Sequence, residues 1–131
     1  MMKKVFLGGT CNGSMWRQGV IDKLKIDYYD PVGESWTKEM MQEEIRQREI
    51  CDYCLYVLTP KMEGYYSIAE VVDDSNKRPG KTIFCFIKED DGSVFNDFQL
   101  KSLKQIGEMI NSNGGRSFET LQQAVEYINH Q

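Results

Sequence analysis

Tyr53-Cys54-Leu55-Tyr56-Val57-Leu58 runs through six residues with no charge and no polar alternation. A strand solvated on one face alternates apolar and polar residues, whereas a strand covered on both faces does not. The run therefore reads as a central strand of a parallel sheet. Similar short apolar runs occur upstream, in Lys4-Val5-Phe6-Leu7, and downstream, in Thr82-Ile83-Phe84-Cys85-Phe86-Ile87. Gly8 and Gly9 end the first of these in a tight loop.

Helical spacing fills the intervals. Trp16, Val20 and Leu24 recur at i, i+4 and i+8, with Ile21 beside them. Ile26-Asp27-Tyr28-Tyr29 is a second short strand. Pro31 stops it by pushing Asp30 away from helical geometry. Residues 37–49 read as a surface helix, its stripe of Met40, Met41 and Ile45 thin among many charges. A loop over 59–64 leads to a helix with Ile68, Val71 and Val72 on its core face, ended by Lys77-Arg78-Pro79-Gly80. Residues 88–96 read as a polar loop and 98–110 as a helix carrying Leu103, Ile106 and Ile110. After a break at 111–115 and a very short strand at 116–118, Leu121, Ala124, Val125 and Ile128 mark a final helix. Strands alternating with helices call for a parallel sheet with right-handed crossovers. The pattern suits a three-layer α/β/α flavodoxin-like (Rossmann-like) fold of about five strands, with residues 1–131 as a single domain.

The bulk composition narrows the function classes. Of the 131 residues, 40% are hydrophobic and 27% charged, as in a globular domain. The net charge of -4 argues mildly against a nucleic acid polymer or an anionic membrane as the main partner. No apolar stretch approaches the ~20 residues of a membrane span. The first apolar run is too short for a secretory leader, so a cytoplasmic location is expected. Cys11, Cys51, Cys54 and Cys85 read as reduced thiols. Cys51-Asp52-Tyr53-Cys54 stands without a second such pair, and the only histidine, His130, is at the tail. No metal and no cofactor are therefore expected.

In an open α/β sheet the ligand sits beyond the carboxyl ends of the strands, near the point where strand order reverses. That rule selects three segments: residues 8–16, 30–36 and 59–70. The first holds Gly8-Gly9-Thr10-Cys11-Asn12-Gly13-Ser14, which is neither a dinucleotide fingerprint nor a phosphate loop. Taken alone it is a tight turn capped by Asn12 or Ser14. The third ends in Gly64-Tyr65-Tyr66-Ser67-Ile68-Ala69-Glu70. Tyr66, Ser67 and Glu70 share one side of the coming helix. Its N-terminus favours an ionised carboxylate, and an ionised carboxylate beside apolar surface suits attack on a sugar C1′. A solvated glutamate, continued by Asp73 and Asp74, explains the local pattern equally well.

Three features resemble the nucleoside 2-deoxyribosyltransferase superfamily, in particular its short, divergent branch. They are Val5-Phe6-Leu7-Gly8-Gly9-Thr10 followed by Met15-Trp16-Arg17; Tyr29-Asp30-Pro31 with Trp36; and the strand Tyr53–Leu58 followed by Gly64–Glu70. The resemblance spans about residues 4 to 87. It implies Glu70 as the nucleophile, with Ser67 at the family's serine. It implies a covalent deoxyribosyl intermediate, released by transfer to a second base or to water. Asp30 and Asp52 are the candidate acids for the leaving base. Gly8, Gly9, Thr10, Trp16, Pro31, Gly64, Tyr65, Tyr66 and Ser67 are the candidate substrate contacts. The partners implied are a nucleoside or nucleoside monophosphate, a free nucleobase and further copies of the chain in a homo-oligomer, with the charged 38–49 helix as one candidate surface.

Each site residue also has a plain structural reading. Trp16 has Val20 as a core partner, Asp30 is a common turn residue, and Asp52 suits a cap or a surface pair. Tyr65 and Tyr66 bury rings in many folds. The family's acidic residue six positions before the nucleophile is Gly64 here, its small residue after the glutamate is Val72, and its first-strand tyrosine is Phe6. These departures motivate an alternative: a non-catalytic nucleotide-binding or sensing module on the same fold. A flavodoxin-like electron carrier is a third and weaker reading, since the phosphate-loop hydroxyl pattern of such carriers is poorly matched.

Overall fold

Five parallel strands, β1 (Lys4–Gly9), β2 (Asp27–Tyr29), β3 (Tyr53–Leu58), β4 (Thr82–Phe86) and β7 (Arg116–Phe118), form a sheet in the order β2-β1-β3-β4-β7. The computed structural model describes residues 2–11, 13–32 and 36–131. Asn12, a cap candidate in the first loop, and residues 33–35 of the second loop lie outside them. The helices are α1 (Trp16–Ile21), α2 (Lys38–Ile50), α3 (Tyr66–Lys77), α4 (Asp97–Ser112) and α5 (Leu121–Asn129). This is the three-layer flavodoxin-like arrangement.

The pleat of the central strand sorts its side chains into two cores. Tyr53, Leu55 and Val57 join Val5, Leu7 and Ile83 under α1 and α5, which contribute Trp16, Val20, Ala124, Val125 and Ile128. Cys54, Tyr56 and Leu58 join Phe6 and Phe84 on the other face, under Val71 of α3 and Leu103 and Ile110 of α4. All six residues of β3 are buried, as the unbroken apolar run requires.

Helix ends follow local chemistry. Asn96 with Gln99, and Thr120 with Gln123, form reciprocal capping boxes at α4 and α5. The Thr37 hydroxyl accepts from the Met40 amide at 3.1 Å and starts α2. The α1 spacing runs to Leu24, but the helix stops at Ile21, and Lys23 N donates to Val20 O at 3.0 Å in a tightened last turn.

Two expectations are corrected. Residues 88–96 are not a plain loop: β5 (Glu89–Asp90) and β6 (Ser93–Val94) pair as a hairpin. Its turn is Asp91-Gly92, with φ of 51° and 86°, the left-handed pair that a two-residue hairpin favours. In α2 the apolar stripe is not the buried face. Met41 and Ile45 are exposed, while Gln47 and Arg48 are buried.

The chain leaves β1 for the edge strand β2, then crosses back to β3 on the other side of β1. The strand order reverses there, which opens a crevice at the carboxyl ends of β1, β2 and β3.

Candidate active site

A cleft of about 310 Å³ occupies this crevice. Gly8, Gly9 and Thr10 of the first strand and its loop form the floor. Pro31, Val32 and Trp36 come from the second loop and Glu44 from α2. Met62 and Gly64 of the third loop and Tyr66, Ser67 and Glu70 of α3 close the remaining wall.

The floor is rigid for stated reasons. A side chain on Gly8 would meet the Tyr56 ring at 2.6 Å. Gly9 has φ of +120°, and a Cβ there would lie 2.0 Å from Val57 O, so only glycine fits. The Thr10 amide donates to Val57 O and its hydroxyl accepts from the Thr59 amide, each at 2.9 Å. Arg17, buried but also lining the cleft, donates to the carbonyls of Leu7, Gly9 and Thr10 and pairs with Asp30 at 3.3 Å. Its guanidinium is thus engaged in holding the first two loops together. The β5–β6 hairpin adds to this frame: Ser14 donates to Asp90, and Lys61 pairs with Asp91 at 3.1 Å.

Glu70 is 7% exposed, on the fifth residue of α3. Arg48 Nη1 lies 3.6 Å from its carboxylate. The Arg48 guanidinium also donates to Asp74 at 3.2 and 3.0 Å and to Asp73 at 3.1 Å. Asp74, fully buried, accepts in addition from Arg78 and from the Tyr56 hydroxyl. Each buried charge in this network is paired, the condition for tolerating it. The network keeps Arg48 charged, with its proton held more tightly than usual.

The expectation that the helix N-terminus keeps Glu70 ionised is corrected here. Burial raises its carboxyl most, a hydrogen bond and charge contact with Glu44 raise it further, and Arg48 offsets only part, leaving it at about 8. The helix dipole acts within the first turn, and Glu70 lies beyond it.

The structure brings together Gly8, Gly9, Thr10, Pro31, Gly64, Tyr66, Ser67 and Glu70. It separates four others. Asp52 sits at the amino end of β3, where its carboxylate accepts from the Lys4 amide at 2.9 Å, so the length of the strand divides it from the cleft. Trp16 is buried in the core under α1, its indole donating to Thr10 O at 2.7 Å. Tyr65 is exposed outside the cleft wall. Asp30 is not among the lining residues, but its carboxylate pairs with the lining Arg17 at 3.3 Å and accepts from the Val32 amide at 3.0 Å.

A model of the family described as nucleoside 2-deoxyribosyltransferase like matches residues 2–89. The chain belongs to this family. The match covers every strand, loop and helix that lines the cleft. No curated protein matches the chain.

In this nucleoside 2-deoxyribosyltransferase-like chain, two site-building residues escaped sequence reasoning. Glu44 and Arg48 were read as part of a solvated charge run. The signal was their spacing: Glu44, Gln47 and Arg48 fall at i, i+3 and i+4, on one face of α2 written in polar residues. Among the described residues, no three His, Cys, Asp or Glu side chains are grouped to hold a metal ion. No described helix is long and apolar enough to cross a membrane.

Proposed function

We propose that the protein cleaves the N-glycosidic bond of a 2-deoxynucleoside or its 5′-monophosphate and passes the deoxyribosyl group to another base or to water. The observation that carries this reading is Glu70: a buried carboxyl facing a nucleoside-sized cleft at the switch point of a sheet whose family is named for this transfer.

Glu70 in its ionised form attacks C1′ as the C1′–N bond breaks, and that bond's electron pair departs with the base. The sugar passes through an oxocarbenium-like state, which a carboxylate in a water-poor site stabilises strongly. The glycosyl ester on Glu70 is then opened by a second base or by water, which restores the carboxylate. Leu58 and Met62 give the cleft an apolar wall, and the Trp36 ring offers a stacking surface for the base.

A second reading is a nucleotide-binding module without turnover. The raised Glu70 carboxyl favours it, because a neutral acid is a poor nucleophile. Incubation with the four 2-deoxynucleosides and their 5′-monophosphates, with and without an acceptor base, separates the two. Base release that falls by ~10³-fold or more in Glu70→Ala supports the enzyme. If no base appears from any substrate while Glu70→Ala binds ligand as the wild type does, the binding module stands instead.

A further inference from the structure

Resting on that reading for its substrate, we infer that the β5–β6 hairpin clamps the first and third loops of the cleft, with Asp90 as a positioning residue for substrate binding. The two loops rise from neighbouring strands, β1 and β3, and carry the floor and one wall of the cleft. Asp90 reaches both. Its carboxylate accepts from the Ser14 hydroxyl of the first loop at 2.5 Å. It is also in hydrogen-bonding contact with Thr59, at the carboxyl end of β3. Beside it, the Lys61 ammonium of the third loop donates to Gly13 O at 3.4 Å and pairs with Asp91 at 3.1 Å.

Hydrogen bonds from hydroxyls to an ionised carboxylate are among the strong ones. Burial pushes the Asp90 carboxyl up, but the bonds from Ser14 and Thr59 and the charge of Lys61 outweigh it and hold it below the ordinary range. Asp90 is therefore an acceptor at neutral pH. The Lys61–Asp91 pair contributes less, because Asp91 is exposed and surface pairs are worth little. Thr59 is fully buried, and its amide donates to the Thr10 hydroxyl at 2.9 Å. Its own hydroxyl oxygen accepts from the Lys61 amide at 3.2 Å, which leaves the hydroxyl proton for Asp90. What fixes Thr59 thus fixes both loops.

The hairpin is itself anchored. Ile87 N donates to Leu58 O at 3.0 Å where β4 ends, and Phe95 N donates to Lys88 O at 3.3 Å where the hairpin closes. Phe95 is buried in the core under α3 and α4, and Asn96 then caps α4. A strut fixed at both ends keeps the two loops ordered, so a ligand does not have to order them on binding. Glu70 is held separately, by Arg48 of α2. The clamp therefore acts on substrate affinity and not on the chemical step. Asp90 and Asp91 lie beyond residue 89, where the family match ends.

The test reads loop opening and substrate affinity separately. Hydrogen exchange is followed by mass spectrometry in wild type, Asp90→Ala, Ser14→Ala and the double variant, with thermal melts to confirm folding. Asp90→Ala is expected to raise exchange about tenfold in peptides from 8–16 and 59–64, while α3 and β4 exchange as in wild type. Ser14→Ala is expected to raise it in 8–16 alone, and it carries the comparison if Asp90→Ala does not fold. The double variant should exceed Asp90→Ala by no more than about twofold in 8–16, since both substitutions remove one bond. On the deoxynucleoside that turns over best, Asp90→Ala is expected to raise KM about tenfold with kcat within about twofold of wild type. Loops that exchange as in wild type, additive effects of the two substitutions, or a loss in kcat with KM unchanged would each overturn the clamp. A wild type that releases base from no substrate overturns the deoxyribosyl-transfer reading, and the exchange comparison then decides the clamp alone.

Discussion

Arg48 Nη1 lies 3.6 Å from the Glu70 carboxylate, while the rest of the same guanidinium grips Asp74 from below. One side chain of α2 thus fixes both the position of α3 and the electrostatic setting of the cleft carboxyl. Removing one member of a buried ion pair leaves the other charge uncompensated and costs about 3–5 kcal/mol. Arg48→Met is accordingly expected to lower unfolding free energy by about 3 kcal/mol in urea titrations. It should also raise the Glu70 carboxyl further, because Arg48 is the cation that lowers it. A variant as stable as wild type would show that Arg78 and Tyr56 suffice for Asp74.

Glu70 also makes stability depend on pH. Its carboxyl stands at about 8 in the folded protein against an ordinary value of 4.5. Between those values the folded state holds a proton that the unfolded state has released, so stability falls as pH rises through the window. Below 4.5 the contribution is fully present, and above about 8 it is gone. Glu70→Gln lacks this term. Its unfolding free energy is expected to gain on wild type steadily from pH 5 to 8, by about 3 to 4 kcal/mol. Parallel melting curves across that range would contradict the raised carboxyl.

Catalysis should carry the same signature with the opposite sign. Attack needs ionised Glu70, so on a 2-deoxynucleoside whose base departs without a proton, such as an N7-methylated purine, kcat/KM is expected to rise with pH up to about 8. In Glu44→Gln that rise should move to lower pH, because the hydrogen bond and charge of Glu44 no longer hold the Glu70 proton. A profile that stays flat between about pH 6 and 9 would contradict the raised carboxyl.

The sequence made the sheet legible because β3, β1 and β4 bury both faces, and burial on both faces leaves an unbroken apolar run. The β5–β6 hairpin was not legible: two-residue strands are too short for any period to show, and only Asp91-Gly92 marked the turn. Half of the site was read from position, since the fold rule put Gly8–Thr10 and Gly64–Glu70 at the crevice. Asp52 was placed wrongly because it precedes its strand rather than following it, and so emerges at the amino edge. Glu44 and Arg48 were hidden because a charged inward face has no hydrophobic stripe to betray it.

The two tryptophans separate packing from binding. Trp16 is buried and bonded to the loop backbone, whereas Trp36 is exposed in the cleft wall. Trp16→Ala is expected to lose about 3–5 kcal/mol of stability. Trp36→Ala should leave stability within about 0.5 kcal/mol, as an exposed substitution does. It should raise KM by about tenfold through lost stacking, and ligand should quench the fluorescence of Trp36 selectively. A Trp36→Ala protein with unchanged KM would take the base away from this wall.

The central claim is that Glu70 becomes covalently joined to the sugar. The most direct measurement is the mass of the protein quenched in acid during turnover of a 2-deoxynucleoside, followed by peptide mapping. A mass increase of one deoxyribosyl group, located on the peptide that carries Glu70 and absent in Glu70→Ala, is the predicted result. Base release at the wild-type rate in Glu70→Ala, with no adduct on Glu70 in the wild type, would contradict it.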